Sequence, residues 1–201
     1  MGGAAIDIRG FRLWQGWLDR PAQEALVAAL RAVAQAAPLV QPVTPGGRPM
    51  SVRMTAAGRL GWVTDRRGYR YESRQPSGAA WPPIPPAVLR IWRQATGLDR
   101  DPDCCLVNSY GEGARMGLHQ DRDEADLSQP IVSVSLGLPA LFLFGGPTRG
   151  GRPLRRPLVH GDVVVWGGPA RLHFHGIAPL AEGSHPATGN CRVNLTFRRA
   201  A

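Results

Sequence analysis

The sequence predicts a mostly β protein in which an antiparallel sandwich or jelly roll forms the core and helices flank it. Short segments rich in β-branched and aromatic residues alternate with turns that contain Gly or Pro, and this spacing is typical of such folds. The predicted strands cover residues 104–110, 131–138, 140–144, 162–166, 173–177 and 191–198. At 201 residues, the chain is long enough to bury a sizeable core. We therefore predict one domain over 1–201, with the jelly-roll core in 104–199.

Two segments have the signals of helices. The first is predicted over 22–35, because Asp19 can cap it, Pro21 fits a first helical turn and apolar residues recur at helical spacing. The second is predicted over 87–96, where it follows two prolines and ends at Gly97. Both should pack an apolar face on the sheet core.

The interval 42–83 differs from the rest of the chain. It is rich in Gly, Arg and aromatic residues, and its hydrophobic periodicity is weak. We predict that this interval is an elaborated flap on the core and not a second domain.

The chain is strongly basic, with 24 basic and 15 acidic residues and a formal net charge of +9. Every basic residue is arginine, because the sequence contains no lysine. Guanidinium groups bind phosphate well, and a positive field speeds encounter with polyanions. We predict a polyanionic partner. The alternative is a base-composition bias that favours Ala, Gly, Pro and Arg together.

Cysteine usage and hydropathy predict the compartment. Cys104, Cys105 and Cys191 give neither a disulfide framework nor a CxxC spacing, which favours a reducing cytoplasm. No apolar run of the sequence has the length of a membrane span, so we expect no membrane association.

His119 and Asp121 form the first candidate metal-binding pair. Residues two apart on an extended chain project from the same face, as a shared metal requires. Two imidazoles and one carboxylate can hold Fe(II) on one face and leave the opposite positions open for a co-substrate and oxygen. A second imidazole is therefore needed.

Four histidines could supply that imidazole: His160, His173, His175 and His185. His160 precedes a Gly-Asp turn and His185 lies in a Gly/Pro loop, so both are weaker candidates. His173 and His175 share one face of their predicted strand, and spacing cannot separate them.

The last predicted strand alternates polar and apolar residues. Its polar face carries Arg192, Asn194, Thr196 and Arg198. One interpretation is an edge strand with a solvated face. The other is a barrel interior that binds a dicarboxylate, because the planar guanidinium matches carboxylate geometry. Asn108 and Tyr110 repeat the pattern on a second strand and would line the same cavity.

Longer motifs resemble a known family. They are NSY at 108–110, LHQDRDE at 118–124, PIVSVSLG at 130–137, HGDVVVWG at 160–167, HGI at 175–177 and CRVNLTFR at 191–198, with MSVRMT at 50–55, GW at 61–62 and Tyr69 upstream. The chain is similar to the AlkB family over residues 40–199. The resemblance implies a double-stranded β-helix core, an N-terminal helical segment and a nucleotide-recognition flap. It also implies an Fe(II)- and 2-oxoglutarate-dependent dioxygenase that repairs alkylated nucleobases by oxidative demethylation.

The resemblance further implies residue roles in oxidant chemistry. It assigns iron to His119, Asp121 and His175, and so favours His175 over His173. The residues implied for 2-oxoglutarate are Arg192 and Tyr110 at the distal carboxylate, Arg198 and Asn108 near the metal-chelating end, and Asn194 nearby. The third substrate is O₂.

For the nucleobase, the resemblance implies a flipped base between Trp62 and the ring of His119. Asp123 would accept a hydrogen bond from an exocyclic amino group. Tyr69 and Arg149 would lie in or beside the nucleotide site. Met50 and Met54 would belong to the covering flap, with ordinary packing as their alternative role, whereas Trp166 is expected in the core.

Three functional hypotheses follow. The leading one is demethylation of 1-methyladenine or 3-methylcytosine in single-stranded DNA or in duplex DNA with a flipped base, with RNA as an alternative substrate and formaldehyde, succinate and CO₂ as products. The second is a dioxygenase that hydroxylates a protein or small molecule. The third is a binding module that has lost catalysis. We expect a monomer.

Overall fold

The computed structural model describes residues 3–201, so the first two residues of the predicted domain lie outside the described residues. The strands within that range are β1 (Ile6–Ile8), β2 (Phe11–Trp14), β3 (Val52–Gly58), β4 (Gly61–Asp65), β5 (Gly68–Glu72), β6 (Cys104–Tyr110), β7 (Met116–His119), β8 (Ile131–Gly137), β9 (Ala140–Phe144), β10 (Leu154–Leu158), β11 (Val163–Trp166), β12 (His175–Ile177) and β13 (Arg192–Arg198). The helices are α1 (Arg20–Ala36) and α2 (Pro86–Thr96), and a 3-10 turn covers Gly168–Ala170.

The strands form two antiparallel sheets and a separate hairpin. The larger sheet has the order β1-β2-β11-β8-β13-β6-β3, and the smaller has the order β10-β9-β12-β7. Side chains from both sheets share one apolar cluster, which includes Phe11, Leu106, Phe142 and Ile177. The prediction of a mostly β jelly-roll core is therefore confirmed.

Both helices form where the sequence predicts them and cover the outer face of the larger sheet. The Asp19 carboxylate caps α1 by accepting a hydrogen bond from the Ala22 N–H at 3.0 Å. Gly97 ends α2 in the left-handed conformation, with φ of +71°. Leu26 of α1 and Trp92 of α2 are fully buried in a second apolar cluster against the sheet.

β13 lies inside the larger sheet, between β8 and β6. Leu195 and Phe197 face the helices, while Arg192 and Asn194 face the smaller sheet and are buried. The edge-strand interpretation is wrong, because β13 pairs along its length on both sides. The sheet interior is thus lined by polar side chains on this strand.

Several strands lack a clear signal in the sequence: β1, β2, β3, β4, β5, β7 and β10. Within the interval 42–83, β3 pairs with β6 in the larger sheet. β4 and β5 pair only with each other among the described strands, and we call residues 61–72 the flap hairpin. Two predicted strands are shorter than expected, since β11 begins at Val163 and β12 begins at His175.

Across residues 3–201, neither helix combines the length and the apolar character that crossing a membrane requires.

Asp162 lies in the turn between β10 and β11 and binds the segment that follows β2, which gives a stability prediction. Its buried carboxylate accepts hydrogen bonds from the N–H groups of Gly16 and Val159, each at 2.8 Å. Hydrogen bonds to a charged acceptor contribute about 1.5–3 kcal/mol each. Asp162→Ala should therefore lower the free energy of unfolding by about 3 kcal/mol, measured by urea denaturation.

The matched control is Glu24→Ala, which removes a carboxylate from an exposed pair with Arg20. Because exposed ion pairs contribute little, its urea midpoint should stay near that of the parent protein. Equal midpoints for the two variants would contradict the structural role of Asp162.

Candidate active site

A cavity of about 550 Å³ lies between the two sheets, and the flap hairpin lines part of it. Most side chains singled out from the sequence contribute to its walls: Met50, Met54, Trp62, Tyr69, Asn108, Tyr110, His119, Asp121, Asp123, Arg149, His175, Asn194 and Arg198. Arg192 lies behind this wall, fully buried, with its guanidinium carbon 5.2 Å from the centre of the Tyr110 ring. The cavity therefore joins the candidate metal, dicarboxylate and base-binding residues.

Three side chains meet at one end of the cavity. His119 ends β7, His175 begins β12, and these two residues are directly paired across the strands. Asp121 Oδ1 lies 3.5 Å from His119 Nε2, and Asp121 Oδ2 lies 3.7 Å from His175 Nε2. One ligand atom from each residue lies within 4.8 Å of the others. Such an arrangement can hold one metal ion.

Backbone carbonyls orient both imidazole rings. His119 Nδ1 lies 2.9 Å from the Gly117 carbonyl oxygen, and His175 Nδ1 lies 3.1 Å from the His173 oxygen. These contacts favour a proton on Nδ1 and leave Nε2 free to bind a metal. Two imidazoles and a carboxylate on one side of an ion are the ligands that non-haem Fe(II) uses, so the residues fit this metal.

The other candidate histidines point elsewhere. His173 Nδ1 lies 3.0 Å from the Arg9 carbonyl oxygen. His160 Nδ1 accepts the Gly137 N–H at 2.7 Å, and its ring lies 4.4 Å from that of His185. In the part of the chain that the structure describes, His175 alone joins the His119–Asp121 pair.

Burial and Arg198 determine the charge state of the candidate ligands. Burial acts to raise the pKa of Asp121, but Arg198 and the two imidazoles hold it well below its usual range. Burial and the nearby His119 ring lower the pKa of His175 to about 4. Burial acts to lower the pKa of His119, yet the hydrogen bond to Asp121 raises it overall. The ionised carboxylate and the neutral His175 ring are the forms that bind metal ions.

Arg192 has unused hydrogen-bonding capacity. Its Nη2 donates to Ser135 Oγ at 2.9 Å, whereas its Nε and Nη1 have no hydrogen-bond partner among residues 3–201. Burial lowers the pKa of this guanidinium, but a group of this type stays protonated. A buried cation without an anionic partner is costly, so the site fits a ligand that brings a carboxylate.

Arg198 differs from Arg192 because it already binds two carboxylates. Its Nη2 lies 3.2 Å from Asp121 Oδ2, and its Nη1 lies 2.7 Å from Glu124 Oε1. Its Nε is without a partner in the described chain, as is Oδ1 of Asn108. Asn194 Nδ2 donates to Ser133 Oγ at 2.7 Å. The polar lining thus continues from the metal ligands toward Arg192.

Sequence reasoning missed several polar residues of this network. Glu124, Ser133, Ser135 and Arg171 are buried, and Tyr71 is partly buried. The side chain of Glu124 is fully buried and pairs with Arg171 at 3.0 Å in addition to Arg198. Arg171 also donates to the Asp121 carbonyl oxygen and so holds residues 120–124, which follow β7 and which we call the ligand loop. The two serines could have been predicted to share one face of β8, because they alternate with apolar residues. Glu124 lies in a loop with several charged residues, and nothing in the sequence distinguishes it from them.

Aromatic rings line another part of the cavity. Trp62 of β4 stacks on Tyr69 of β5, with ring centres 5.4 Å apart and planes 15° apart. The Trp62 indole N–H donates to Asp123 Oδ2 at 2.9 Å. The side chain of His119 is 38% exposed and lines the same cavity. The cavity therefore presents flat aromatic surfaces beside a carboxylate.

The remaining predicted residues surround these rings. Arg149 Nη2 donates to the Leu118 carbonyl oxygen at 2.8 Å and thereby supports β7. Met54 is buried in the apolar cluster and also lines the cavity, while Met50 is half-buried. Trp166 is buried in the core as expected, and its ring centre lies 4.8 Å from that of His175.

Known proteins are similar to this chain in sequence and in fold. A family model described as the 2OG-Fe(II) oxygenase superfamily matches residues 10–198. The chain is 52% identical over 185 residues to the alpha-ketoglutarate-dependent dioxygenase AlkB of Escherichia coli, covering 89% of this chain and 85% of that protein. It is 50% identical over 195 residues to the AlkB homolog of Caulobacter vibrioides, covering 96% and 89% of the two chains. The solved structure of OsALKBH1 matches with a TM-score of 0.81 and 29% identity, over 96% of this chain and 98% of that one.

The ligand assignment can be tested with two neighbouring histidines. His175→Ala should weaken Mn(II) binding by more than about 100-fold, since removal of a ligand exceeds the effect of removing an outer partner. His173→Ala should bind Mn(II) like the parent protein, because its ring contacts the Arg9 carbonyl and not the cluster. Electron paramagnetic resonance titration of free Mn(II) measures both. A stronger effect of His173→Ala would reverse the assignment.

Proposed function

The chain belongs to the AlkB family of 2OG-Fe(II) oxygenases, and from this premise we propose that it demethylates 1-methyladenine and 3-methylcytosine in DNA. The enzyme is an Fe(II)- and 2-oxoglutarate-dependent dioxygenase that acts on alkylated nucleic acids by oxidative demethylation. One O₂ and one 2-oxoglutarate are consumed for each methyl group, and the products are the repaired base, formaldehyde, succinate and CO₂. The methyl carbon leaves as formaldehyde, and N1 of adenine or N3 of cytosine regains its lone pair as the cationic lesion releases a proton.

His119, Asp121 and His175 are proposed to hold the iron. The convergence of their ligand atoms and the two carbonyl contacts to Nδ1 support this assignment. The bound metal, with O₂ and 2-oxoglutarate, supplies the oxidant that attacks the methyl C–H bond. The protein contributes the orientation of the ligands and a cavity that limits access of water.

Arg192 and Tyr110 are proposed to bind the distal carboxylate of 2-oxoglutarate. The unpaired Nε and Nη1 of the buried Arg192 are the main support among the described residues. Arg198, Asn108 and Asn194 would lie near the other end of the co-substrate. Arg198 and Arg171 together balance the charges of Asp121 and Glu124 beside the candidate metal ligands.

The observation that carries the base assignment is the cavity that places flat rings and Asp123 beside the candidate ligands. A stacked duplex would keep the methyl group away from the metal, so the damaged base must be flipped out. We propose that the base lies between Trp62 and the His119 ring. Asp123 would then accept a hydrogen bond from the exocyclic amino group of adenine or cytosine. Tyr69, Met50 and Met54 would enclose the nucleotide.

The other hypotheses have less support. Protein or small-molecule hydroxylation would use the same metal and co-substrate residues, but it gives no role to Asp123 and the ring stack. The binding-module hypothesis is set aside, because the chain is an enzyme and every candidate ligand position is filled. We propose that the enzyme is a monomer and acts in the cytoplasm, where its three free cysteines would stay reduced.

The direct test uses oligonucleotides that carry one 1-methyladenine or 3-methylcytosine, in single-stranded and duplex form. With Fe(II), 2-oxoglutarate and O₂, mass spectrometry should show loss of one CH₂ and an equal yield of formaldehyde. His119→Ala should give neither product. Consumption of 2-oxoglutarate without repair of any alkylated DNA or RNA would show a dioxygenase with a different substrate.

Arg122 gives a test of the proposed polyanion partner. It lines the cavity and forms no ion pair with any residue in 3–201, so it is free to contact phosphate. Arg122→Ala should weaken binding of methylated and unmethylated oligonucleotides alike. The slope of log Kd against log salt should fall by roughly 0.7–0.9 for the lost contact.

Arg31→Ala is the matched control for this test. Arg31 lies on α1, on the far side of the larger sheet, and donates to the Ala187 carbonyl oxygen. Its removal lowers the net charge equally but should leave the salt slope unchanged. The same change of slope in both variants would show that net charge alone, and not Arg122, determines binding.

A further inference from the structure

The Trp62 side chain has a polar contact that stacking does not require. Its indole N–H donates to Oδ2 of Asp123 at 2.9 Å, although the two residues are 61 positions apart. Asp123 lies two residues after the candidate ligand Asp121, whereas Trp62 belongs to the flap hairpin. This hydrogen bond therefore joins the flap hairpin to the ligand loop.

The contact occupies one carboxylate oxygen of Asp123 and leaves the other able to accept a hydrogen bond. Its other oxygen, Oδ1, accepts no hydrogen bond from residues 3–201, and its carboxylate forms no ion pair within that range. An exposed aspartate without contacts can rotate between rotamers. With Oδ2 bound to the indole, Oδ1 is the oxygen that remains for a ligand in the cavity.

A second hydrogen bond joins the flap hairpin to the ligand loop. Tyr71 is the cross-strand partner of Trp62, and its hydroxyl donates to Glu124 Oε1 at 2.7 Å. Glu124 is buried and bound by two arginines, so it is a firm anchor. Adjacent residues of the loop, Asp123 and Glu124, therefore bind cross-strand neighbours of the hairpin. When a base fills the cavity and excludes water, these hydrogen bonds become stronger.

We propose that the Trp62 indole N–H is a positioning group for base selectivity, which holds Asp123 so that Oδ1 accepts from an amino-bearing lesion. This inference rests on the proposed function of the site. Adenine and cytosine lesions carry an exocyclic amino group that can donate to Oδ1. Guanine and thymine lesions carry a keto oxygen there, which has no hydrogen to donate and is repelled by the carboxylate. Trp62 thus has two separable roles, stacking through its face and selectivity through its N–H.

Trp62→Phe separates these roles, because phenylalanine keeps an aromatic face and lacks the N–H. The assay compares kcat/KM for single-stranded oligonucleotides with 1-methyladenine and 1-methylguanine, and for those with 3-methylcytosine and 3-methylthymine. The ratio of amino-bearing to keto-bearing lesions should fall by roughly tenfold, the effect of losing one hydrogen bond to a charged acceptor. Trp81→Phe is the matched control, since it also removes an indole N–H, which binds the Glu72 carbonyl oxygen and not Asp123. Its ratio should stay at the parent value.

The Asp123→Asn variant provides an independent test of the same proposal. The indole N–H must face the amide oxygen, so the amide NH₂ would face the base and donate to a keto oxygen. With Trp62 intact, this variant should prefer 1-methylguanine over 1-methyladenine. In the double variant with Trp62→Phe, the amide is free to turn and the preference should disappear.

The outcomes are distinct. An equal loss for all lesions in Trp62→Phe, with an unchanged ratio, would overturn the positioning role and leave stacking alone. Persistence of the keto preference in the double variant would also overturn it. If the parent enzyme repaired none of the lesions, the proposed function itself would fail, and this is seen before any variant is compared.

Discussion

The site depends on a buried cluster of two arginines and two carboxylates. Arg198 binds Asp121 and Glu124 at once, and Arg171 binds Glu124 from the other side. Transfer of these charges from water is costly, and it is offset only when each charge finds its partners in good geometry. The cluster therefore couples β13, the ligand loop and the turn that carries Arg171. Loss of one partner would leave an uncompensated charge next to the candidate metal ligands.

The larger sheet makes this cluster possible because β13 is an interior strand with one apolar face and one polar face. Leu195 and Phe197 fill the apolar layer under the helices, while Arg192 and Arg198 project between the sheets. A shift of register by one residue would send the arginines into the apolar layer. Pairing with β6 and β8 on both sides prevents such a shift. The same strand thus contributes to the apolar core through one face and to the candidate co-substrate site through the other.

Part of this arrangement could be predicted from the sequence, because alternation and spacing are local properties. The polar face of β13 and the shared face of His119 and Asp121 follow from a period of two. His173 and His175 could not be separated by that period, since the choice depends on the pairing of β12 with β7. Glu124 had no local signal, because its partners Tyr71, Arg171 and Arg198 are distant in the sequence. Strands such as β10, with the sequence LRRPL, form through pairing with a neighbour and against their own propensity.

The ligand loop brings the candidate metal ligand Asp121 close to Asp123, the proposed contact to the base. Asp121 faces the candidate metal ligands, and Asp123, only two residues later, faces Trp62. Two residues of backbone extend over about 7 Å at most, so Asp123, the proposed base-binding carboxylate, cannot move far from the candidate metal ligand Asp121. The flap hairpin begins only three residues after the end of β3, and hydrogen bonds from Trp62 to Asp123 and from Tyr71 to Glu124 join it to the same loop. Strand pairing therefore holds the candidate ligands His119 and His175, whereas the proposed base contact at Asp123 depends on the hydrogen bonds between this loop and the hairpin.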